Sequence, residues 1–153
     1  MVGTGRQEQA MQMLDNALAS GQDQLYLWLA KGQMLDAQER FDEAIAAFDQ
    51  AIPQSRVQPD VMIELVGAKA DSLVAKGDSL SAIRMLDNFA DDQQMPSDLR
   101  GVALLHKALI MRETDRRRQA RLAENRAIEV AESPEQRAEM QKLVERLRKK
   151  FGE

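Results

Sequence analysis

Few residues of this chain combine the types and spacing that catalysis requires. The single histidine, His106, lies between Leu105 and Lys107 in a segment predicted to be helical, and no motif places a serine or an aspartate beside it. Gly3-Thr4-Gly5 lacks the Lys-Ser/Thr ending and the preceding strand of a phosphate-binding loop. Asp91-Asp92 lacks the alternating ligand positions of a calcium loop. We therefore expect no enzyme activity, cofactor or metal site, and we interpret His106 as a surface or groove side chain.

Composition predicts a helical protein. The chain has 153 residues, no cysteine and one histidine, which excludes disulfides, thiolate chemistry and multi-histidine metal sites. Val, Ile and Thr together number 16, whereas Ala contributes 21, Leu 17 and Gln 15. Because β-branched residues favour strands and these other residues favour helices, a sheet is not expected. The length suits one domain or a short repeat array.

Charge is unevenly distributed along the chain. Residues 1–100 contain 8 basic and 16 acidic side chains, whereas residues 101–153 contain 13 basic and 9 acidic ones. Four arginines could form a patch for an anionic partner: Arg116, Arg117, Arg118 and Arg121. Interspersed glutamates favour a solvated helix face instead, and no aromatic residue lies among these arginines to stack on a base. Nucleic acid is therefore disfavoured, while an acidic protein or an anionic lipid surface remains open.

A pattern of small and large side chains recurs at the spacing of a helical hairpin. Ala44, Phe48 and Ala51 would share one helix face. Similar triplets, offset by 34, 38 and 38 residues, begin at Ala10, Ala82 and, more weakly, Ala120. The preceding helices also match, with Trp28, Gly32 and Leu35, then Val66, Ala70 and Leu73, then Leu104, Ala108 and Met111. This period predicts repeated units of two helices and two short loops.

Turn-forming residues separate the predicted helices. The last helix has the clearest start, because Ser133 suits the N-cap, Pro134 suits the first helical position and Gln136 can complete a capping box. A stripe of apolar residues from Met140 to Phe151 then faces away from a run of Arg and Lys. The breakers and the periodicity predict about eight helices, near residues 6–19, 22–37, 41–53, 59–76, 79–91, 97–114, 117–132 and 134–151.

The repeated residues resemble the tetratricopeptide repeat family, whose pattern contains Trp, Gly, Tyr, Ala and an aromatic residue. Trp28, Gly32, Ala44 and Phe48 match it in spacing, with Leu35 in place of the tyrosine. The match is strongest over residues 25–58, less complete over 63–96 and weak over 101–134.

The chain also departs from the family pattern. In the weak third repeat, Glu124 occupies a position that should hold a large apolar side chain. Lys31 replaces the leucine before the glycine, and Arg56 replaces the proline after the second helix. These departures and the 38-residue spacing indicate a divergent, bacterial-type array.

The resemblance implies an all-α, right-handed superhelix (α-solenoid) of antiparallel helix hairpins that forms a single domain over residues 1–153. Its parts would be a half repeat at 6–19, three repeats at 25–58, 63–96 and 101–134, and a capping helix at 134–151. Because residues 6–19 match only the second helix of a repeat, one apolar face would lack its partner. We expect either that the chain is a fragment of a longer protein or that a second copy covers this helix.

In this family the first helices of successive repeats line a concave groove, so the resemblance also suggests which side chains would face a partner. The groove candidates are Tyr26, Leu29, Gln33, Asp36, Glu64, Gly67, Asp71, Val102, Leu105, His106, Leu109 and Arg112. Tyr26 is the best candidate anchor, because an aromatic side chain gives a large contact area at low entropic cost. Packing of Tyr26 against the preceding helix is an equal alternative.

The implied function is a non-enzymatic scaffold that binds a peptide or helix of another protein in the groove. Binding of chaperone carboxylates is disfavoured, because Leu29, Gln33, Gly67 and Asp71 occupy positions where such domains use Lys, Arg and Asn. A partner with apolar and basic groups suits the groove better. Two alternatives remain: an oligomerisation or linker module of a larger protein, and a basic C-terminal face that binds an anionic partner.

The sequence shows no pattern typical of a targeting or membrane-spanning segment. Residues 1–5 contain no apolar run typical of a secretory signal, and no window approaches the length of a transmembrane segment. We expect a cytoplasmic protein, with the periplasm left open.

Overall fold

The computed structural model describes residues 2–21 and 23–153, with side chains described from residue 5 onward. Within these residues the chain forms eight α-helices and a short 3-10 helix, Ile52–Ser55, and no strand. The helices are α1 (Val2–Ala19), α2 (Gln24–Ala37), α3 (Phe41–Ala51), α4 (Pro59–Ala75), α5 (Ser79–Asp91), α6 (Ser97–Glu113), α7 (Arg117–Glu129) and α8 (Pro134–Lys150). The predicted all-α fold of helical hairpins is confirmed. The chain divides into two compact units, Met1–Gly77 and Asp78–Glu153.

Several helix ends differ from the sequence prediction; α4, α6 and α8 each end one residue earlier than predicted, and α2 begins at Gln24. Helix α1 begins at Val2 rather than near residue 6, because glycine lowers helix propensity without forbidding the helical backbone. Helix α3 ends at Ala51, since Pro53 lacks the N–H that an α-helix would need there. Helix α7 ends at Glu129 instead of residue 132. Residue 22, the predicted start of α2, lies outside the described residues.

The first unit packs α2 against α3 around Phe48, whose side chain is fully buried. Gly32 of α2 lies directly against this ring: an added Cβ would be 2.6 Å from Phe48 Cδ1 and 2.8 Å from Cζ. The absence of a side chain at Gly32 therefore allows the two helices of the hairpin to approach closely. The surrounding core residues are Leu25, Leu29, Leu35, Ala44, Ala47, Ala51 and Leu65.

The second unit builds a similar hairpin from α6 and α7, with α5 and α8 packed beside it. Helix α8 begins with the predicted capping box. Ser133 Oγ accepts a hydrogen bond from the backbone N–H of Gln136 at 3.1 Å, and the Gln136 side-chain oxygen accepts one from the N–H of Ser133 at 3.3 Å. The same oxygen accepts a hydrogen bond from Ser97 Oγ at 3.1 Å, so the starts of α6 and α8 are joined.

The 38-residue period reappears in the backbone of the hairpin turns. The residues with positive φ after α2, α4 and α6 are Glu39, Gly77 and Asp115, at 58°, 96° and 57°. Gly77 suits this left-handed conformation, whereas Glu39 and Asp115 adopt it despite their Cβ atoms. In the first and third turns, the next residue donates its N–H back to a carbonyl near the helix end, from Arg40 to Leu35 and from Arg116 to Met111.

An ion pair also repeats with this period. Each pair joins a lysine on α2, α4 or α6 to an aspartate on the helix before it, and all three Nζ atoms lie 2.5–2.6 Å from the carboxylate. The pairs are Lys31 with Asp15, Lys69 with Asp49, and Lys107 with Asp87. Lys31, which departs from the family pattern, is therefore the first member of a repeated contact between neighbouring helices.

Replacement of Gly32 by alanine tests the close approach of α2 and α3. Alanine gains about 1 kcal/mol of helix propensity, but overpacking against Phe48 costs more. We expect a net loss of about 1–2 kcal/mol in the free energy of unfolding, measured by urea denaturation. Gly5→Ala is the matched control, because no atom lies within 4 Å of the added Cβ. Equal stability changes in the two variants would show that this contact does not limit packing.

Candidate functional site

Four predicted groove residues lie exposed on α2 and α4 of the first unit: Tyr26, Gln33, Glu64 and Asp71. We call them the α2–α4 surface. Tyr26 is 53% exposed, and its hydroxyl donates a hydrogen bond to Gln58 Oε1 at 2.8 Å, just before α4. Gln33 Nε2 donates to Glu64 Oε1 at 3.3 Å, which joins the two helices directly. Asp71 follows Glu64 by two helical turns and therefore lies on the same face of α4.

Two other groove candidates of this unit are placed differently. Leu29 is buried in the core beside Phe48, so it does not face a partner. Asp36 is half-buried, and its carboxylate accepts a hydrogen bond from the buried Ser72 hydroxyl. The sequence register correctly places both residues on α2, but their side chains serve packing within the unit.

Gly67, on α4 of the first unit, is half-buried. The remaining groove candidates belong to the second unit. On α6, Val102 is exposed, and Leu105, His106 and Leu109 are half-buried. Arg112 was predicted to face a groove, and the structure contradicts this placement: its side chain is 1% exposed. The guanidinium is enclosed because it pairs with a carboxylate of the neighbouring helix.

That carboxylate belongs to Glu124 of α7, whose side chain is fully buried. Arg112 Nε donates to Glu124 Oε1 at 2.6 Å, and Arg148 Nε of α8 donates to Oε2 at 2.7 Å. Burying an unpaired carboxylate would cost several kcal/mol, and two charge-assisted hydrogen bonds offset this cost. Glu124 thus occupies a position where the family pattern expects an apolar side chain, and its carboxylate links α7 to α6 and α8.

The last residue of the described chain completes the cluster. Arg112 Nη1 lies 3.3 Å from Glu153 Oε1, and Arg121 Nη2 of α7 lies 2.9 Å from Glu153 Oε2. Hydrogen bonds from Arg112 and then Arg121 hold the pKa of the Glu153 carboxyl below its usual value of 4.5. The hydrogen bond to Glu124 raises the pKa of Arg112 against the opposing effect of burial. We call Arg112, Arg121, Glu124, Arg148 and Glu153 the charge cluster.

The predicted anionic-partner patch is only partly available. Arg116, Arg117, Arg118 and Arg121 are all exposed residues at the start of α7. Arg121 pairs with Glu153, however, and Arg117 Nε lies 3.5 Å from Asp115 Oδ1. Two of the four cations are therefore already beside a carboxylate.

Sequence reasoning missed the role of Glu124 and Glu153. One signal was present: Glu124 is the single charged residue at the repeat position that Phe48 and Leu86 occupy elsewhere, and Arg112 follows a core methionine on the preceding helix. Such a charged pair at core positions predicts a buried ion pair. Nothing comparable identifies Glu153, because its placement depends on the turn at Gly152, where φ is 77°.

The described residues contain no group of three or more His, Cys, Asp or Glu side chains placed to hold a metal ion. Among the helices of the same residues, none has the length and apolar character needed to cross a bilayer. The arrangement offers polar contact surfaces and a buried charge cluster.

Replacement of Glu124 by leucine supplies the family's expected apolar side chain but leaves Arg112 buried without its main partner. We expect a loss of about 3–5 kcal/mol in the free energy of unfolding, measured by urea denaturation. In the double variant Arg112→Met/Glu124→Leu, most of this loss should disappear. Glu145→Leu, at an exposed position of α8, is the control and should change stability by less than about 0.5 kcal/mol. A harmless Glu124→Leu would show that the ion pair does not organise this unit.

The lowered pKa of Glu153 predicts a specific pH dependence. A carboxyl whose pKa is lowered in the folded protein stabilises it fully above the unfolded value of 4.5 and loses this effect as the pH falls through the folded value. Near neutral pH, wild type should therefore have a higher Tm than Glu153→Gln. The difference should shrink in acid when thermal unfolding is followed by circular dichroism. A difference that persists unchanged to about pH 3 would contradict this assignment.

A family model described as Tetratricopeptide repeat matches residues 2–59, which include α1, α2 and α3. No curated protein and no solved structure matches the chain. The family match agrees with the helical hairpins of the described residues. Over residues 2–59 the chain is thus similar to the tetratricopeptide repeat family, whose repeats generally mediate contacts between proteins and are typically not enzymes.

Proposed function

We propose that this chain is a non-enzymatic scaffold that binds a segment of another protein, and that the α2–α4 surface of the first unit makes the contact. The observation that carries this proposal is the exposure of Tyr26 on a surface shared with Glu64 and Asp71. Exposed aromatic side chains provide contact area at low entropic cost, and neighbouring polar groups fix the register of a bound segment.

Charge supports a particular type of partner. Residues 1–77 contain six Lys and Arg against eleven Asp and Glu. Several of those cations are already paired within the unit, since Lys31, Lys69 and Lys76 contact Asp15, Asp49 and Asp42. The α2–α4 surface carries carboxylates and no lysine or arginine. A segment with basic side chains and an apolar anchor for Tyr26 is therefore the complementary partner.

The α2–α4 surface gives a direct binding test. We expect wild type to capture a specific protein from a lysate, and the captured protein to contain a basic and apolar segment that binds as a synthetic peptide. Glu64→Lys/Asp71→Lys should weaken this peptide at least about tenfold by calorimetry, because each lysine repels a basic ligand. Tyr26→Ala should weaken it by a similar factor through loss of the anchor.

The matched control is Glu8→Lys/Glu39→Lys, which makes the same change in net charge at exposed positions on α1 and in the α2–α3 turn. This control should bind the peptide as wild type does. Equal binding by Glu64→Lys/Asp71→Lys would remove the α2–α4 surface from the proposal. Failure of wild type to capture any specific protein would contradict the scaffold function itself.

Self-association through α1 is the second candidate, because no side chain described for this helix, from residue 5 to residue 19, is buried, and Met13 is 72% exposed. It would make α1 an oligomerisation module, as the half-repeat pattern suggested. The mass in solution, measured on the same samples, separates the two candidates. A mass above the 17.2 kDa of one chain that returns to that value in Met13→Glu would favour self-association.

A further inference from the structure

Two arginines from different helices of the second unit converge on one carboxylate. Arg112 of α6 and Arg121 of α7 both contact Glu153, whose side chain is 16% exposed. Arg121 donates from Nε at 3.1 Å and from Nη2 at 2.9 Å to Glu153 Oε2. Arg112 Nη2 lies 3.4 Å from the same oxygen. The two guanidinium groups thus hold one carboxylate between them, and we call this pair the cradle.

The cradle carries more positive charge than its own helices compensate. The charge cluster contains three arginines and two glutamates. Both oxygens of Glu124 are already bound, one by Arg112 and one by Arg148. If Glu153 were withdrawn, three cations would share one carboxylate, which is unfavourable for the enclosed Arg112 side chain. The cradle therefore favours an anion.

Glu153 does not satisfy all the hydrogen-bond donors of Arg112. Arg112 Nη1 is buried and makes no hydrogen bond in the described structure, although it lies 3.3 Å from Glu153 Oε1. Charge-assisted N–H···O bonds are usually about 2.7–2.9 Å long, so both contacts from Arg112 to Glu153 are long. A carboxylate that is not tethered could move closer to Arg112 and accept a hydrogen bond from Nη1. Glu153 does not make this hydrogen bond, because the turn at Gly152 and the hydrogen bond from its own N–H to Arg148 O fix its position.

We propose that Arg112 and Arg121 form an oxyanion-binding site that Glu153 occupies from within the chain, and that a carboxylate of an acidic partner segment takes its place. This site lies in the second unit and does not depend on the α2–α4 surface. Because Glu153 is tethered, its effective concentration is about millimolar or higher, and an outside carboxylate must compete with it. The internal glutamate therefore limits binding to ligands with additional contacts.

Glu153→Gln makes the site testable with a defined probe. The glutamine keeps the size of the side chain but removes its charge, so N-acetylglutamate amide no longer competes with an internal anion. We expect this probe to shift the Arg121 Nε–H resonance of Glu153→Gln in a saturable titration, and to bind wild type at least about tenfold more weakly. Circular dichroism confirms that the variant remains helical.

Matched variants separate this site from general attraction between charges. Adding Arg121→Gln to Glu153→Gln should abolish binding, whereas adding Arg117→Gln, an exposed arginine of the same helix, should not. Glu145→Gln alone changes the charge by the same amount on α8 and should behave as wild type. Binding that survives Arg121→Gln, or that is equal in wild type and Glu153→Gln, would overturn the proposal.

Comparison with inorganic phosphate tests whether the site prefers a carboxylate or a phosphate. The flat, two-oxygen carboxylate matches the group that occupies the cradle, so N-acetylglutamate amide should bind Glu153→Gln at least as tightly as phosphate does. Saturable binding of phosphate without binding of the carboxylate probe would overturn the assignment of an acidic segment as the ligand. Absence of binding by either probe would overturn the site.

Discussion

The close approach of paired helices is the constraint on which the structure depends. In the first unit it requires the contact of Gly32 with the Phe48 ring. In the second unit, a Cβ added at Gly101 of α6 would meet the Met140 side chain of α8 first and would lie 3.3 Å from the Ala127 carbonyl oxygen of α7. Where helices approach this closely, a large side chain on one helix requires a small residue opposite it on the other. The fully buried alanines follow from this constraint: Ala44, Ala51, Ala70, Ala82, Ala90, Ala103, Ala108, Ala120 and Ala127.

Ion pairs explain two departures from the family pattern, Lys31 and Glu124. Lys31, Lys69 and Lys107 occupy equivalent places and each contacts an aspartate of the preceding helix. Partly exposed pairs of this kind contribute little stability, but a repeated pair favours one register between neighbouring helices over its alternatives. Glu124 is different in degree, because it is fully buried and its removal would leave Arg112 uncompensated.

The sequence predicted the number of helices and most of their ends, because breakers and apolar periodicity are local properties. Ser133 and Gln136 show this best, since the predicted capping box is present. The orientation of individual side chains was less predictable. Leu29 and Arg112 are both buried, since the packing of the partner helix decides whether such a side chain lies in the core or at the surface. For Arg112 the deciding partner is Glu124, which is distant in sequence and which the repeat pattern assigned to an apolar residue.

The basic C-terminal third shows why a charge count does not predict a binding surface. Of its cations, Lys107, Arg112, Arg121, Arg126 and Arg148 all contact carboxylates within the second unit. Much of the apparent excess of positive charge is therefore neutralised by contacts between helices. The electrostatic field that reaches a partner is consequently weaker than the sequence suggests. What remains is local: the charge cluster, in which three arginines meet two glutamates. Specificity in this unit would consequently come from the geometry of Arg112 and Arg121 rather than from net charge.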